Sequence, residues 1–303
     1  MPQNPPLPTI HRGFLPPREV DERTERWTSP HYFSAPNLSA PQGILALVFP
    51  GTGGQPRDYR LLADQASALG LHALAVRYPN DTSINDLAGD DPGAHLDLRL
   101  DHWDGADRTG RVGLRPGESI LERTTGALLK LAADRPWEDW GRFLRDGAPD
   151  WTKVAAVGHS LGAGYAALAA KLHPLERVVT MGWAEWCRSS GEAAAWTRET
   201  SGWATGEIAR FSLLHERDEM VPFPVGRELA ERFTGSHREE VVESGDPPWG
   251  RVRRLVTDLD PSEEVPVASP CHNSLAIDAK TPRWPDGGAV LADAWTWLLA
   301  GRA

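Results

Sequence analysis

At 303 residues, with 40% hydrophobic and 24% charged side chains, the chain is large enough to bury a full α/β core. Its formal net charge of −10 argues against nucleic acid or an anionic membrane surface as partner, because both would repel this field. No apolar run approaches a membrane span, and the amino terminus has no basic stretch followed by an apolar one, so a cytoplasmic protein is expected.

Residues 1–42 are rich in proline and polar side chains and read as an extended N-terminal arm, in which Tyr32 and Phe33 could add an edge strand. Residues 43–303 read as a single α/β domain. Within it, residues 44–49 are continuously apolar, as a strand buried on both faces must be. The loop Pro50-Gly51-Thr52-Gly53-Gly54 follows, then a helical pattern through Leu61, Leu62, Ala66 and Leu69, then a second apolar strand at 71–78. Strand, loop, helix, strand predicts a right-handed crossover and a mostly parallel central sheet flanked by helices.

Residues 80–116 carry many Asp and Gly residues without a sustained period, and are expected to run as an irregular excursion over the sheet edge. Helices are predicted over 118–134 and, briefly, over 137–145. Further strands are predicted at 154–157, 177–181, 208–215 and 252–257, with helices running to about residue 172 and over 222–233 and 290–299. Residues 183–205 hold Trp183, Trp186, Trp196 and Trp203 among small residues, which suggests an inserted helical flap or cap. The two cysteines, Cys187 and Cys271, make no disulfide framework; reduced thiols are expected, and a single bridge between them stays open.

The chemistry gathers at strand ends. Val154-Ala155-Ala156-Val157 leads into Gly158-His159-Ser160-Leu161-Gly162, and an alanine-rich helical tract follows. A serine between small residues at a strand-to-helix turn has its hydroxyl lifted above the sheet edge at the positive end of a helix. A serine needs a base, and the base needs an orienting group. Asp218 stands where the strand Leu213-Leu214-His215 ends, just before Val221-Pro222 opens a helix. The same position suits Asp218 as a helix N-cap, and Glu219, Glu185, Asp258 and Asp260 are rival acids. His272, in Pro270-Cys271-His272-Asn273, lies between the last strand and the closing helix and is the candidate base.

With these three loops in the order Ser, acid, His, the chain resembles the α/β-hydrolase-fold serine hydrolases, from about residue 43 onward. The resemblance implies Ser160 as nucleophile, His272 as general base and acid, and Asp218 as the residue that orients the imidazole. It also implies an oxyanion hole formed by the Leu161 N–H and a donor from the 50–54 loop, assigned to Thr52 with Gly53 as the alternative. Pro50 stands where members of that superfamily often carry a histidine. A donor of this kind is worth roughly 3–4 kcal/mol in the transition state. A serine at the elbow also argues against those enzymes of this fold that use a carboxylate nucleophile.

The substrate pocket is assigned to Gly53, His159, Trp183 and Trp186, with the tryptophans as ordinary core residues and His159 as a packing or hydrogen-bonding residue of the elbow as the alternative readings. No metal is expected, because the histidines and carboxylates lack ligand spacing, and no cofactor, because the glycine loop lacks a phosphate-binding signature. The expected activity is cleavage of an ester, thioester or lactone of a small-molecule acyl substrate through an acyl-enzyme. Acyl transfer or cyclisation by the same residues, and a non-catalytic ligand receptor, are the alternatives.

Overall fold

In the first core strand, Leu45, Leu47 and Phe49 join the hydrophobic cluster on one face of the sheet, while Ala46 and Val48 join the cluster on the other. That two-residue alternation requires both faces to be covered, and they are. The structure is a computed structural model and describes residues 10–36, 41–91, 93–187, 190–199 and 201–301.

In chain order the strands are β1 (His11–Leu15), β2 (His31–Ala35), β3 (Leu45–Phe49), β4 (His72–Ala75), β5 (Leu144–Arg145), β6 (Ala148–Pro149), β7 (Val154–His159), β8 (Arg177–Met181), β9 (Arg210–His215), β10 (Glu240–Val241) and β11 (Arg254–Thr257). The α-helices are α1 (Pro17–Val20), α2 (Arg60–Ala68), α3 (Ile84–Ala88), α4 (His95–Asp104), α5 (Ile120–Asp134), α6 (Leu161–Leu172), α7 (Phe223–Thr234), α8 (Pro270–Ser274) and α9 (Ala292–Ala300). One nine-stranded sheet runs β1-β2-β4-β3-β7-β8-β9-β11-β10. The pairs β1–β2 and β2–β4 are antiparallel and the rest are parallel. Helices α4, α5 and α6 pack on one face, and α2 and α9 on the other. With a strand–turn–helix serine elbow at the end of the central β7, this is an α/β-hydrolase fold. No helix among the described residues is long and apolar enough to cross a membrane.

Four expectations are corrected. Of the arm at 1–42, residues 1–9 and 37–40 lie outside the described residues. Much of the remainder belongs to the sheet: β1 pairs along β2, and β2 lies inside, between β1 and β4. The excursion at 80–116 contains two helices, α3 capped by the Ser83 side chain and α4 closed by Gly105 in the left-handed region. The predicted helix at 137–145 is instead two 3₁₀ turns and the β5–β6 hairpin, with Asp139 at φ 57° interrupting any longer helix. Among the described residues of 183–205, where a helical flap is expected, the helical structure is one 3₁₀ turn at Ala195–Arg198. Trp183 and Trp196 are core residues there, edge-on to each other at 5.8 Å, and Trp183 also meets Phe233 at 5.3 Å. Large flat rings in a small-residue segment gain more by filling the core than by forming a helix of their own.

Candidate active site

Ser160 sits at the turn from β7 into α6 with φ 56° and ψ −121°, a backbone region that costs a non-glycine residue on the order of 1–3 kcal/mol. Its neighbours make the turn possible. A Cβ on Gly158 would lie 2.1 Å from the Gly162 oxygen, and one on Gly162 would lie 1.9 Å from the Phe49 oxygen, so neither position tolerates a side chain. The Ser160 N–H is held by the Met181 carbonyl of β8 at 2.8 Å.

Asp218 and His272 meet as expected. Asp218 Oδ2 accepts the His272 Nδ1–H at 2.7 Å, and Asp218 Oδ1 accepts from the N–H groups of Met220 and Val221, both at 2.8 Å. The second contact caps the turn, not the helix, because α7 begins at Phe223 behind Pro222. Burial works to raise the Asp218 carboxyl, but the His272 hydrogen bond and charge, with the two N–H groups, outweigh it and hold the carboxyl below its ordinary value. With Nδ1 carrying the shared proton, His272 Nε2 is an acceptor, and it is buried without a hydrogen-bond partner among the described residues. Ser160 Oγ therefore does not bond it in this state; such contacts commonly tighten only when substrate arrives.

Each rival acid has another task. Glu219 accepts from the N–H groups of Cys271 and His272, both at 3.0 Å. Asp258 and Asp260 bind Arg217 at the surface. Glu185, fully buried, pairs with Arg99 and accepts from His95 at 3.2 Å and the Trp196 indole at 2.8 Å. Burial raises its carboxyl, yet the Arg99 guanidinium, with help from His95, pulls it well down.

The 50–54 loop comes against the serine: a Cβ on Gly51 would lie 3.1 Å from that of Ser160. Asn80, just past β4, shapes the loop. Its side-chain amide donates to the oxygens of Gly51 and Gly54 at 2.6 and 2.8 Å, and its carbonyl accepts the Gly53 N–H at 2.7 Å. The Gly53 donor is thereby occupied. The Thr52 N–H has no acceptor among the described residues, and Leu161, as the first residue of α6, has no helical acceptor for its own.

The pocket assignments divide. Trp183 lines a cavity of about 10 Å³ with Gly182, Leu214, Asp218, Val221 and Phe223, room for about one water. Gly53 is exposed on its loop, and Trp186 is half-buried in an isolated bridge with Ala193. His159 is not a pocket wall: it is buried, and both ring nitrogens are engaged, Nδ1 with Tyr59 Oη and Nε2 with the His272 carbonyl, each at 3.0 Å. Cys187 and Cys271 are buried and not bridged to each other. A cavity of about 430 Å³ opens elsewhere, between β1, β2 and the start of α2, and Ser160 does not line it.

Sequence reasoning missed Tyr59, Asn80 and Arg99. A polar residue directly after a buried strand, as Asn80 is after Tyr78-Pro79, is a usable signal; the partners of Tyr59 and Arg99 are long-range and leave none. No family model matches the sequence, and no curated protein matches it. Among solved structures, a Klebsiella pneumoniae chain that carries the name dienelactone hydrolase is similar over 96% of this chain and 99% of its own, at 14% identity and a TM-score of 0.47.

Proposed function

We propose that the protein is a serine hydrolase that cleaves an ester, thioester or lactone through an acyl-enzyme. One observation carries the reading: His272 gives its Nδ1–H to Asp218 and is left with a buried Nε2 that has no partner among the described residues, while its ring lies against Gly182, the neighbour of the Met181 whose carbonyl holds the strained Ser160 elbow. A bare basic nitrogen in a buried site is costly unless something with a proton comes to it.

In this reading Ser160 Oγ attacks the acyl carbon while His272 Nε2 takes its proton. Asp218 fixes the tautomer and stabilises the imidazolium that forms. The Thr52 and Leu161 N–H groups receive the charge that develops on the acyl oxygen, where preorganised donors contribute most. The imidazolium then protonates the leaving group, and water, activated by the same nitrogen, releases the acid and regenerates Ser160.

A fluorophosphonate probe is expected to label the native protein and not Ser160→Ala. Labelling that survives the substitution overturns the proposal. A panel of chromogenic esters of increasing acyl length then defines the substrate, and added alcohol or amine acceptors separate hydrolysis from acyl transfer.

A further inference from the structure

The residue next to the serine and the residue next to the aspartate converge on one peptide. His272 donates its own N–H to Glu219 and accepts, at its carbonyl, from His159 Nε2. We propose that Glu219 and His159 form a two-sided clamp on the His272 main chain and act as positioning residues for the base, an inference that rests on the serine-hydrolase reading.

The clamp has a local cause. α8 is only five residues long, and it starts at Pro270 after Ser269 in a left-handed backbone, φ 51° and ψ 59°, with no side-chain cap from Ser269. The first-turn N–H groups of such a segment have no acceptor inside it. Glu219 supplies both, one carboxylate oxygen to Cys271 and the other to His272. At the other end, the Ala276 N–H turns to the Asn273 carbonyl at 3.3 Å, which leaves the His272 carbonyl for His159.

The His159 arm is directional. The Gly51 N–H donates to Tyr59 Oη at 2.7 Å, so the Tyr59 proton goes to His159 Nδ1, and Nε2 must carry the hydrogen that reaches the His272 carbonyl. Burial, with the neighbouring His272 charge, pushes His159 down to about 3, so the ring stays neutral and the direction holds at any working pH. One chain of hydrogen bonds thus runs from the 50–54 loop through the residue before Ser160 to the base. Removing either arm frees the His272 main chain, and with it the imidazole's position, while the side chains of Ser160, Asp218 and His272 stay chemically unchanged. A misplacement of this kind reduces turnover without reducing binding.

The test uses Glu219→Ala, Glu219→Gln and Tyr59→Phe in the full chain. Rates of Ser160 labelling by the fluorophosphonate at saturating probe are expected to fall about 10- to 100-fold in Glu219→Ala and Tyr59→Phe, with the half-saturating concentration changed less than about 3-fold. Glu219→Gln, which keeps one acceptor oxygen, is expected to recover part of the rate. Amide hydrogen exchange over residues 269–275 reads the clamp independently of the chemistry and is expected to accelerate at Cys271 and His272 in Glu219→Ala. Unchanged exchange there overturns the clamp. Accelerated exchange with an unchanged labelling rate overturns its positioning role, as does a Glu219→Gln rate no better than that of Glu219→Ala. If native protein does not label at all, the serine-hydrolase reading fails instead, while the exchange result still decides the clamp.

Discussion

Two buried carboxylates follow neighbouring strands of the sheet, Glu185 after β8 and Asp218 after β9, and each bonds the Nδ1 atom of a histidine. Their surroundings differ in one respect that decides what each can do. Glu185 has a guanidinium against it, and two indole N–H groups besides. Its charge is balanced before His95 is considered. Asp218 has, among the described residues, main-chain N–H groups and His272 alone, so in the proposed reaction the charge that completes its surroundings is the proton the imidazole gains. A fully compensated carboxylate holds a structure together; a partly compensated one stabilises a cation that comes and goes.

Breaking each partner separates the two roles. Asp218→Asn keeps the Oδ1 acceptor and loses the charge. It is expected to lower the Ser160 labelling rate on the order of 10³–10⁴-fold with the thermal midpoint moved by no more than a few degrees. A variant that loses stability in proportion to its activity would make Asp218 a second Glu185. Glu185→Gln is the converse: it leaves the Arg99 charge buried and unpaired, and about 3–5 kcal/mol of unfolding free energy is expected to disappear in urea titration, while the folded fraction still labels.

Asp278 calibrates the pair, as a buried carboxyl with little to balance it. Burial leads the causes that push it up to about 6, against the partial relief of the Leu61 N–H and Arg60. Since its folded value lies above the unfolded value of 3.8, its contribution to stability is fully present below that value and is lost as pH rises through about 6. Asp278→Asn is therefore expected to be more stable than the native chain at pH 7.5, by up to about 3 kcal/mol, with the difference vanishing near pH 4. A difference that does not change with pH would refute the assignment. The smallest effect is expected for Trp196→Phe, which removes one N–H donor from Glu185. About 1–2 kcal/mol of stability should go, and the pH dependence of labelling should stay as it was.

The site was more legible in the sequence than the walls around it. Ser160 and Asp218 each follow a strand and precede a helix, and His272 lies in the short α8 between the last core strand and the closing helix; that grammar is local enough to read from short stretches. The helix α4 was not legible, because its buried face mixes Leu98 and Trp103 with His95, Arg99, Asp101 and His102. An apolar period cannot reveal a helix whose inward side chains are mostly polar and satisfied by partners far along the chain, as Arg99 is by Glu185. The tryptophans of 183–205 misled for the same reason: Trp196 and Trp203 belong with Phe233 and Glu185, and nothing nearby in sequence says so. Glu219 could be weighed from sequence as an acid, but the N–H groups it binds lie 52 and 53 residues away.

The sequence by itself determined the serine turn, the sheet that carries it and the order of the three loops, because strand burial, tight glycine approaches and helix starts are properties of short stretches. Only the tertiary structure decided which of five carboxylates faces His272, that Gly53 is occupied and Thr52 is not, and that both ring nitrogens of His159 are spent on Tyr59 and the His272 carbonyl. Those outcomes depend on which polar groups are left without a partner once the chain has closed, and that balance exists only in three dimensions.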